Sequence, residues 1–232
     1  FGVAMLVAAS MVAPDQRAKA VSRVLAGLTI AMLIGNPTAT WLGQWLSWRW
    51  AFGLVGLIAL LTVLLVAIFL PLDRSEPRNN PMLELRDFNR KPVWLALAIS
   101  SIGFAGMFCV FSYLAPTLLE VTGVGEHWIP VGLAALGLGG IVGNLVGGWL
   151  FDKLGFKAIA WLLLWSILVL QMFPLATHSL WTILPAAFAV GTMVSLGPPL
   201  QTHLMDVAGE AQTLAAASNH SAFNVANALG PW

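Results

Sequence analysis

The chain alternates long apolar stretches with short polar segments, and this pattern predicts its fold. An α-helix needs about 20 apolar residues to cross the hydrocarbon core of a bilayer, and it satisfies its own backbone hydrogen bonds there. The apolar stretches predict an all-α, polytopic transmembrane helical bundle. We expect eight spans, the first and last cut by the chain ends, in a piece of a longer membrane protein. The spans are predicted at 1–13, 22–46, 51–72, 93–118, 129–150, 158–175, 180–200 and 211–232.

The composition agrees with a membrane protein and argues against other classes. Of 232 residues, 59% are hydrophobic and 9% charged, whereas about a quarter are charged in an ordinary soluble domain. The net charge of +1 is too small for a nucleic-acid partner to be expected. Cys109 is the one cysteine, and no Cys/His cluster has the spacing of metal ligands. We therefore expect helix packing to hold the fold, with no metal and no organic cofactor.

The positive charges lie almost entirely in alternate loops, which predicts the orientation of the chain. Lys and Arg accumulate in short cytoplasmic loops of membrane proteins. Of the 11 positive charges, Arg49 alone lies on the other side. The rest are Arg17, Lys19, Arg23, Arg74, Arg78, Arg86, Arg90, Lys91, Lys153 and Lys157. The loops predicted to be cytoplasmic are 14–21, 73–92, 151–157 and 203–210.

Residues 73–92 form the one long polar connection and divide the chain unequally. The segment holds three prolines and nine charges, which favours a linker between two domains. The alternative is a long cytoplasmic loop with no domain boundary. On the first interpretation, residues 1–72 and 93–232 belong to different structural units.

Glycines in the fifth stretch recur at helical spacing. Gly139, Gly143 and Gly147 are four residues apart and therefore share one helix face. Small residues at this spacing allow two transmembrane helices to approach closely. The face serves either static packing or an interface that moves.

The second stretch carries a proline among small residues, and it resembles a known helix. Residues 27–52, GLTIAMLIGNPTATWLGQWLSWRWAF, are similar to helix five of the drug:proton antiporters of the major facilitator superfamily. That helix has a glycine-rich motif with Gly-x-Pro or Gly-Pro, and it ends in Gly-Trp-Arg. Here Ser47-Trp48-Arg49 replaces the usual ending. The motif residues implied by the resemblance are Gly27, Gly35, Asn36, Pro37 and Gly43.

A second match is GGWLFDKLGFK, residues 147–157, which resembles the loop signature of the same superfamily. Phe156 departs from a basic position of the signature. In the family the aspartate caps a neighbouring helix and the basic residues pair across an interface, which forms a latch for the outward-facing state. The alternative is a solvated charge cluster that anchors a helix end. The matching residues are Gly148, Asp152, Lys153, Gly155 and Lys157.

The order and spacing of these motifs imply a register within the family. Residues 218–230, SNHSAFNVANALG, also resemble helix eleven of its bacterial sugar-efflux and multidrug branch. The eight stretches would then be helices four to eleven of a twelve-helix transporter in the bacterial inner membrane, as a monomer. Residues 1–72 would end the N-terminal half, 73–92 would be the central cytoplasmic loop, and 93–232 would belong to the C-terminal half.

Polar residues inside spans are costly and usually face a cavity or a partner helix. The last stretch has the most of them, with Asn219 and His220 expected near the cytoplasmic mouth. Gln201, in the seventh stretch, is a weaker candidate. Interhelical hydrogen bonding is the alternative for the asparagines, and anchoring at the membrane surface is the alternative for Tyr113. The residues predicted to line a substrate cavity are Tyr113, Asn144, Ser221, Asn224 and Asn227.

The resemblance implies a secondary active transporter that exports a sugar, nucleoside or drug by alternating access, in exchange for protons. A facilitator or proton symporter of the same fold, which imports a small solute, is the alternative. An intramembrane enzyme is not expected, since neither Gly-x-Ser-x-Gly nor His-Glu-x-x-His occurs. No acidic residue lies in the middle of a span, so we expect the titrating carboxylate outside this chain.

Overall fold

The computed structural model describes Gly27 and residues 30–69 and 88–232, and its regular structure there is helical throughout. Single turns of 3-10 or π type interrupt or extend the α-helices. The α-helices are α1 (Asn36–Trp45), α2 (Trp48–Phe69), α3 (Lys91–Pro116), α4 (Ile129–Leu154), α5 (Lys157–Ala176), α6 (Leu180–Gly191), α7 (Gly197–Val207) and α8 (Gln212–Leu229). The π turns are Ala31–Gly35 and Thr117–Val121, and the 3-10 turns are Glu126–Trp128, Thr192–Leu196 and Gly209–Ala211.

Five helical segments are long and apolar enough to cross a membrane, and they confirm the third to seventh predicted spans. The last predicted span forms the helix α8. Its polar side chains make it less apolar than the five segments, so it is not counted among them. The first predicted span and most of the 73–92 segment lie outside the described residues. The five segments are Trp48–Phe69, Lys91–Val121, Glu126–Leu154, Lys157–Ala176 and Leu180–Val207.

The connection between α4 and α5 is shorter than the predicted loop 151–157. The first helix continues to Leu154 and the next begins at Lys157, which leaves two residues between them. Gly155 has a φ of 56°, a conformation that glycine adopts at little cost. The prediction of a longer loop is wrong because charged side chains at a helix end mark the membrane surface and not the end of the helix.

The predicted loop 203–210 is also wrong over its first half. Helix α7 continues to Val207, so His203 and Asp206 are helical. The ring of His203 lies 4.6 Å from that of Phe156, centroid to centroid, which attaches the end of α7 to the start of α5. A helix can project beyond the apolar layer when its polar residues meet water or a neighbouring helix.

Two apolar clusters form the core, and α2 lies outside both. In α2 no residue is buried within the described part of the chain. The larger cluster joins α3, α4, α5, α6 and the turn after α6, and it also includes Leu200 of α7 and Ala226 of α8. The smaller cluster joins the start of α3 with the end of α7 and the first half of α8. The largest fully buried apolar side chains include Leu114, Leu118, Leu136, Ile183, Met193, Leu196, Leu200 and Leu204.

The glycine face of α4 packs directly on backbone, as its spacing predicts. A Cβ atom added at Gly139, Gly143 or Gly147 would overlap a carbonyl oxygen of the neighbouring segment. We call this contact the glycine seam. Both sides of the seam belong to the chain after residue 92. If the parts before and after the 73–92 segment are separate units, as predicted, the seam lies inside one unit, which favours static packing over a moving interface. The carbonyl oxygens belong, in the same order, to Phe188, Thr192 and Ser195.

The Pro198-Pro199 pair does not end the seventh span. Proline has no N–H to donate to the carbonyl four residues earlier, so the helix must adjust upstream. The adjustment is the 3-10 turn Thr192–Leu196, after which α7 continues. Trp165 Nε1 donates to Thr192 Oγ1 at 2.9 Å and fixes the start of this turn.

The glycine seam predicts opposite effects for two nearby alanine substitutions. Gly143→Ala should destabilise the protein by about 1–3 kcal/mol, because the new methyl group overlaps Thr192. Gly148→Ala, on the same helix, should be neutral or stabilising by up to about 1 kcal/mol, because its Cβ meets open space. Thermal unfolding of the two purified variants measures the difference, and equal midpoints would contradict the seam.

Candidate functional site

The helix that carries the proline motif packs against α4. Helix α1 and the π turn before it both contact α4, so the chain before residue 73 touches the chain after residue 92. Gln44 Nε2 donates to the carbonyl oxygen of Glu126 at 2.7 Å, at the side opposite the α4–α5 turn. This contact joins the end of α1 to the turn that starts α4.

A π-helical turn directly precedes Pro37. The proline ring clashes with the carbonyl four residues earlier, and proline has no N–H to bond to that carbonyl. A turn that is wider than a regular α-helical turn relieves both conflicts. The N–H of Asn36 instead reaches the carbonyl of Ala31. Asn36 and Pro37 are half-buried, whereas Gly27, Gly35 and Gly43 are exposed.

The loop signature lies at the α4–α5 turn, with its charged side chains exposed. Asp152 and Lys153 are in the last turn of α4, and Lys157 begins α5. Lys153 Nζ lies 4.1 Å from the centre of the Trp149 ring. Asp152 forms no ion pair with any residue that the structure describes, so its capping role stays a prediction. Gly148 is half-buried in α4.

The predicted cavity residues of α8 lie on its exposed side. Ser221, Asn224 and Asn227 are exposed, whereas Ala222 and Ala226 on the opposite side are buried. Helical spacing places Ser221 and Asn224 on one face with Asn227 at its edge. The described part of the chain leaves this polar face uncovered.

The other two predicted cavity residues occupy different places. Tyr113 donates its hydroxyl hydrogen to the carbonyl oxygen of Pro231 at 2.9 Å, which ties the outer part of α3 to the end of α8 near Asn227. Asn144 is half-buried on α4, next to the glycine seam. The structure therefore brings Tyr113 close to the α8 end but shows no hydrogen bond from Asn144 to α8 in the described part of the chain.

A polar triad joins three helices, with Ser100 and Asn219 buried and Gln201 half-buried, and the sequence alone did not pair its members. Ser100 Oγ donates to Asn219 Oδ1 at 3.0 Å, and Asn219 Nδ2 donates to Gln201 Oε1 at 2.6 Å. The sequence held one sign of this contact, which is the position of Ser100. It lies four residues after Ala96 and four before Phe104, so its hydroxyl is on the buried face of α3 and needs a partner there.

Five of the described helical segments are long and apolar enough to cross a membrane, and comparison with known proteins gives the family. The chain matches the model of the Major Facilitator Superfamily over residues 1–231 and belongs to this superfamily. It is 33% identical over its full length to the uncharacterised MFS-type transporter YfhI of Bacillus subtilis, of which it covers 59%.

Two further relatives have names that describe an activity. The chain is 32% identical over 99% of its length to the inner membrane transport protein YdhP of Escherichia coli, covering 59% of that protein. It is 30% identical over 99% of its length to the chloramphenicol resistance protein of Streptomyces lividans, covering 60% of it. The chain thus spans about three fifths of these curated relatives.

The contact between α1 and α4 predicts a stability effect for Gln44. Gln44→Leu removes the donor to Glu126 and should lower the free energy of unfolding by about 0.5–1.5 kcal/mol. Thr40→Val is the matched control on the same helix, because its hydroxyl bonds only to the carbonyl of Asn36 in its own helix. A thermal shift of Thr40→Val as large as that of Gln44→Leu would show that the Glu126 contact adds nothing.

Proposed function

We propose that this chain is part of a secondary active transporter that exports a small polar or amphipathic molecule by alternating access. The carrying observation is the packing of α1, with its Gly35-Asn36-Pro37 motif, against α4 on the other side of the 73–92 segment. That helix resembles the antiporter helix of the family. The relative named as a chloramphenicol resistance protein supports outward transport.

The α1–α4 contact supplies the moving interface of this proposal. The parts before residue 73 and after residue 92 rock against each other and expose a central site to each side of the membrane in turn. One side-chain hydrogen bond between Gln44 and Glu126, with packing around it, is weak enough to break and re-form in each cycle. The glycine seam lies within one part and keeps that part rigid during the motion.

The solute site of the proposal is the uncovered polar face of α8, completed by Tyr113 and Asn144. Amides donate and accept hydrogen bonds, and hydroxyl groups do both as well. Such a lining suits an uncharged polyhydroxylated or heteroaromatic solute, which includes sugars, nucleosides and drugs. The lining residues are Tyr113, Asn144, Ser221, Asn224 and Asn227.

Proton exchange and membrane location complete the proposal. The acidic residues Glu120, Glu126, Asp152 and Asp206 lie at helix ends in the described part of the chain. None of these four lies in the middle of a helix, so we expect the coupling carboxylate elsewhere in the full-length protein. The relative named as an inner membrane transport protein supports a bacterial inner membrane, with the α4–α5 turn on the cytoplasmic side.

Transport into membrane vesicles tests the direction and the solute class. Inside-out vesicles that contain the full-length protein and are acidified inside should accumulate radiolabelled chloramphenicol, methyl β-galactoside or uridine. A protonophore should abolish the accumulation. Uptake only into right-side-out vesicles with acid outside would instead indicate the importing symporter, and no uptake of any probe in either orientation would contradict the proposed function.

The loop signature predicts a transport defect for Asp152→Asn. If the carboxylate stabilises one state through a helix terminus, its loss should slow transport about fivefold, equivalent to about 1 kcal/mol. Asp206→Asn is the control, since Asp206 is also exposed near a helix end but lies outside the signature. Both variants should insert into the membrane normally. Equal rates for Asp152→Asn and the unaltered protein would leave Asp152 with only a surface role.

A further inference from the structure

His220 is an ionisable side chain in the middle of α8. The helix runs from Gln212 to Leu229, so about 12 Å of helix precede His220 and about 14 Å follow it. Every other Lys, Arg, Asp, Glu and His among the described residues lies within about one turn of a helix end or in a turn between helices. An ionisable residue inside a span is costly and usually belongs to a functional site. His220 therefore calls for a functional explanation.

Contacts between α8 and α3 give the depth of His220 in the membrane. Ser100 bonds to Asn219, and Tyr113 bonds to Pro231, so the two helices run side by side in the same direction. His220 follows Asn219 directly and lies about 15 Å along α3 from the charged start of that helix. The hydrocarbon core is about 30 Å thick, which places His220 near its middle.

His220 belongs to the same face of α8 as the amides of the proposed solute site. Asn224 follows it by four residues and Asn227 by seven, which places them within about 40° and 20° of His220 around the helix. Both asparagines are exposed and His220 is half-buried, whereas Asn219 is buried on the side that packs against α3. The three residues therefore form one polar column, with His220 at its cytoplasmic end.

The ring of His220 is supported on one side by aromatic packing. Its centroid lies 5.9 Å from that of Phe223, with the two ring planes at 86°. The Phe223 ring in turn lies 4.6 Å from that of Phe104, which is buried in the larger apolar cluster. This packing holds the imidazole at the edge of the polar face. The ring has two nitrogens, so one can bond within the protein while the other meets a solute.

We propose that His220 is a proton-binding residue of the solute site, at which a bound proton and a bound solute exclude each other. The inference rests on the proposed function and adds a second proton site to the carboxylate expected elsewhere in the full-length protein. The neutral ring accepts a hydrogen bond from a hydroxyl or N–H group of the solute. When that nitrogen binds a proton, both ring nitrogens are donors and the acceptor is lost. The site therefore selects a neutral solute that donates a hydrogen bond.

The titratable groups on α3 and in the turn before α8 lie at other depths. The elements packed against α8 are α3, α7 and the turn Gly209–Ala211. On α3, Lys91 lies about 15 Å from the level of His220 on one side, and Cys109 and Tyr113 lie about 12 and 18 Å away on the other. Glu210 is in the turn, about ten residues before His220. None of these groups is level with the ring.

The two titratable groups of α7 lie on other sides of that helix. Gln201 bonds to Asn219 and marks the side of α7 that meets α8. His203 is about 160° away from Gln201 around the helix, and its ring lies 4.6 Å from that of Phe156 on α5. Asp206 is about 140° away and about 7 Å further along α7. Proton binding at His220 is therefore governed by the solute face and not by a charge on α3 or α7.

The competing explanation is that His220 only packs against Phe223 and a neighbouring helix. Polar side chains often join transmembrane helices in this way. A packing residue would be closed to water-soluble reagents, and its replacement by a neutral amide would leave the pH dependence of solute binding unchanged. Accessibility and pH dependence therefore separate the two explanations.

The first test measures the accessibility of position 220 and needs no solute. In a full-length Cys109→Ala protein, His220→Cys should react with a membrane-impermeant methanethiosulfonate reagent added to inside-out vesicles. Leu164→Cys is the lipid-facing control, because Leu164 is apolar and 57% exposed on α5. Ala226→Cys is the buried control on α8, at 0% exposure. Reaction at position 220 should be at least about tenfold faster than at both controls, because the reactive thiolate needs water. Equal rates would overturn the proposal.

The second test measures equilibrium binding of radiolabelled chloramphenicol, methyl β-galactoside or uridine to the purified full-length protein at different pH values. The dissociation constant of the unaltered protein should rise about fivefold or more between pH 8 and pH 5.5, because histidine gains its proton in this range. His220→Gln should keep the value found at pH 8 and change by less than about twofold, since its amide oxygen accepts a hydrogen bond and does not titrate.

Two further variants complete the second test. His203→Gln is the matched control, because His203 is also a helical histidine but contacts Phe156 away from the solute face. It should keep the full pH dependence. His220→Asn repeats the measurement with a second neutral amide, in case His220→Gln does not fold. A pH dependence in the position-220 variants as large as in the unaltered protein would overturn the proposal.

The outcomes distinguish this inference from the proposed function. If the unaltered protein neither binds nor accumulates any of the three probes, the proposed function fails and the role of His220 fails with it. If acidified inside-out vesicles accumulate a probe but His220→Gln binds it with unchanged pH dependence, the role of His220 fails alone. Transport of the cation tetraphenylphosphonium and of no neutral probe would overturn the solute class while leaving an exporter in place.

Discussion

The glycine seam between α4 and the segment after it is the contact on which the rest of the structure depends. Helices in a membrane gain little from hydrophobic burial against one another, so close packing of small residues must hold them. Gly139, Gly143 and Gly147 allow α4 to lie on the backbone of α6 and the following 3-10 turn. The position of that turn sets the start of α7 and therefore the place of Gln201.

Polar side chains in these helices form their hydrogen bonds in two ways, which differ in whether a second helix is needed. Several hydroxyls bond to a carbonyl in their own helix, as Ser166 does with Leu162, and such residues need no partner helix. Ser100, Asn219 and Gln201 instead bond to one another across three helices. The exposed amides of α8 do neither in the described part of the chain. These differences separate packing residues from candidates for solute contact.

Hydropathy predicted the helices well, and it predicted their ends poorly. A run of apolar residues reports the part of a helix inside hydrocarbon, which is why the third to seventh spans agree with the structure. Hydropathy does not show where a helix ends when the helix continues into water, and α7 extends past the predicted boundary for that reason. The sequence also marked Asn219 as polar and intramembrane, but it contained no local cue that Ser100 and Gln201 were its partners.

The amino-acid sequence was enough to predict the helical class, the place of the third to seventh apolar spans, the family motifs and the glycine spacing of α4. These properties are local, because they depend on side chains within one or a few helical turns. Only the packing of whole helices sets which carbonyls the glycines contact and which polar groups bond to each other. Ser100 and Asn219 are 119 residues apart, and Gln44 and Glu126 are 82 apart. Such pairings depend on how whole helices are placed, which no local pattern encodes.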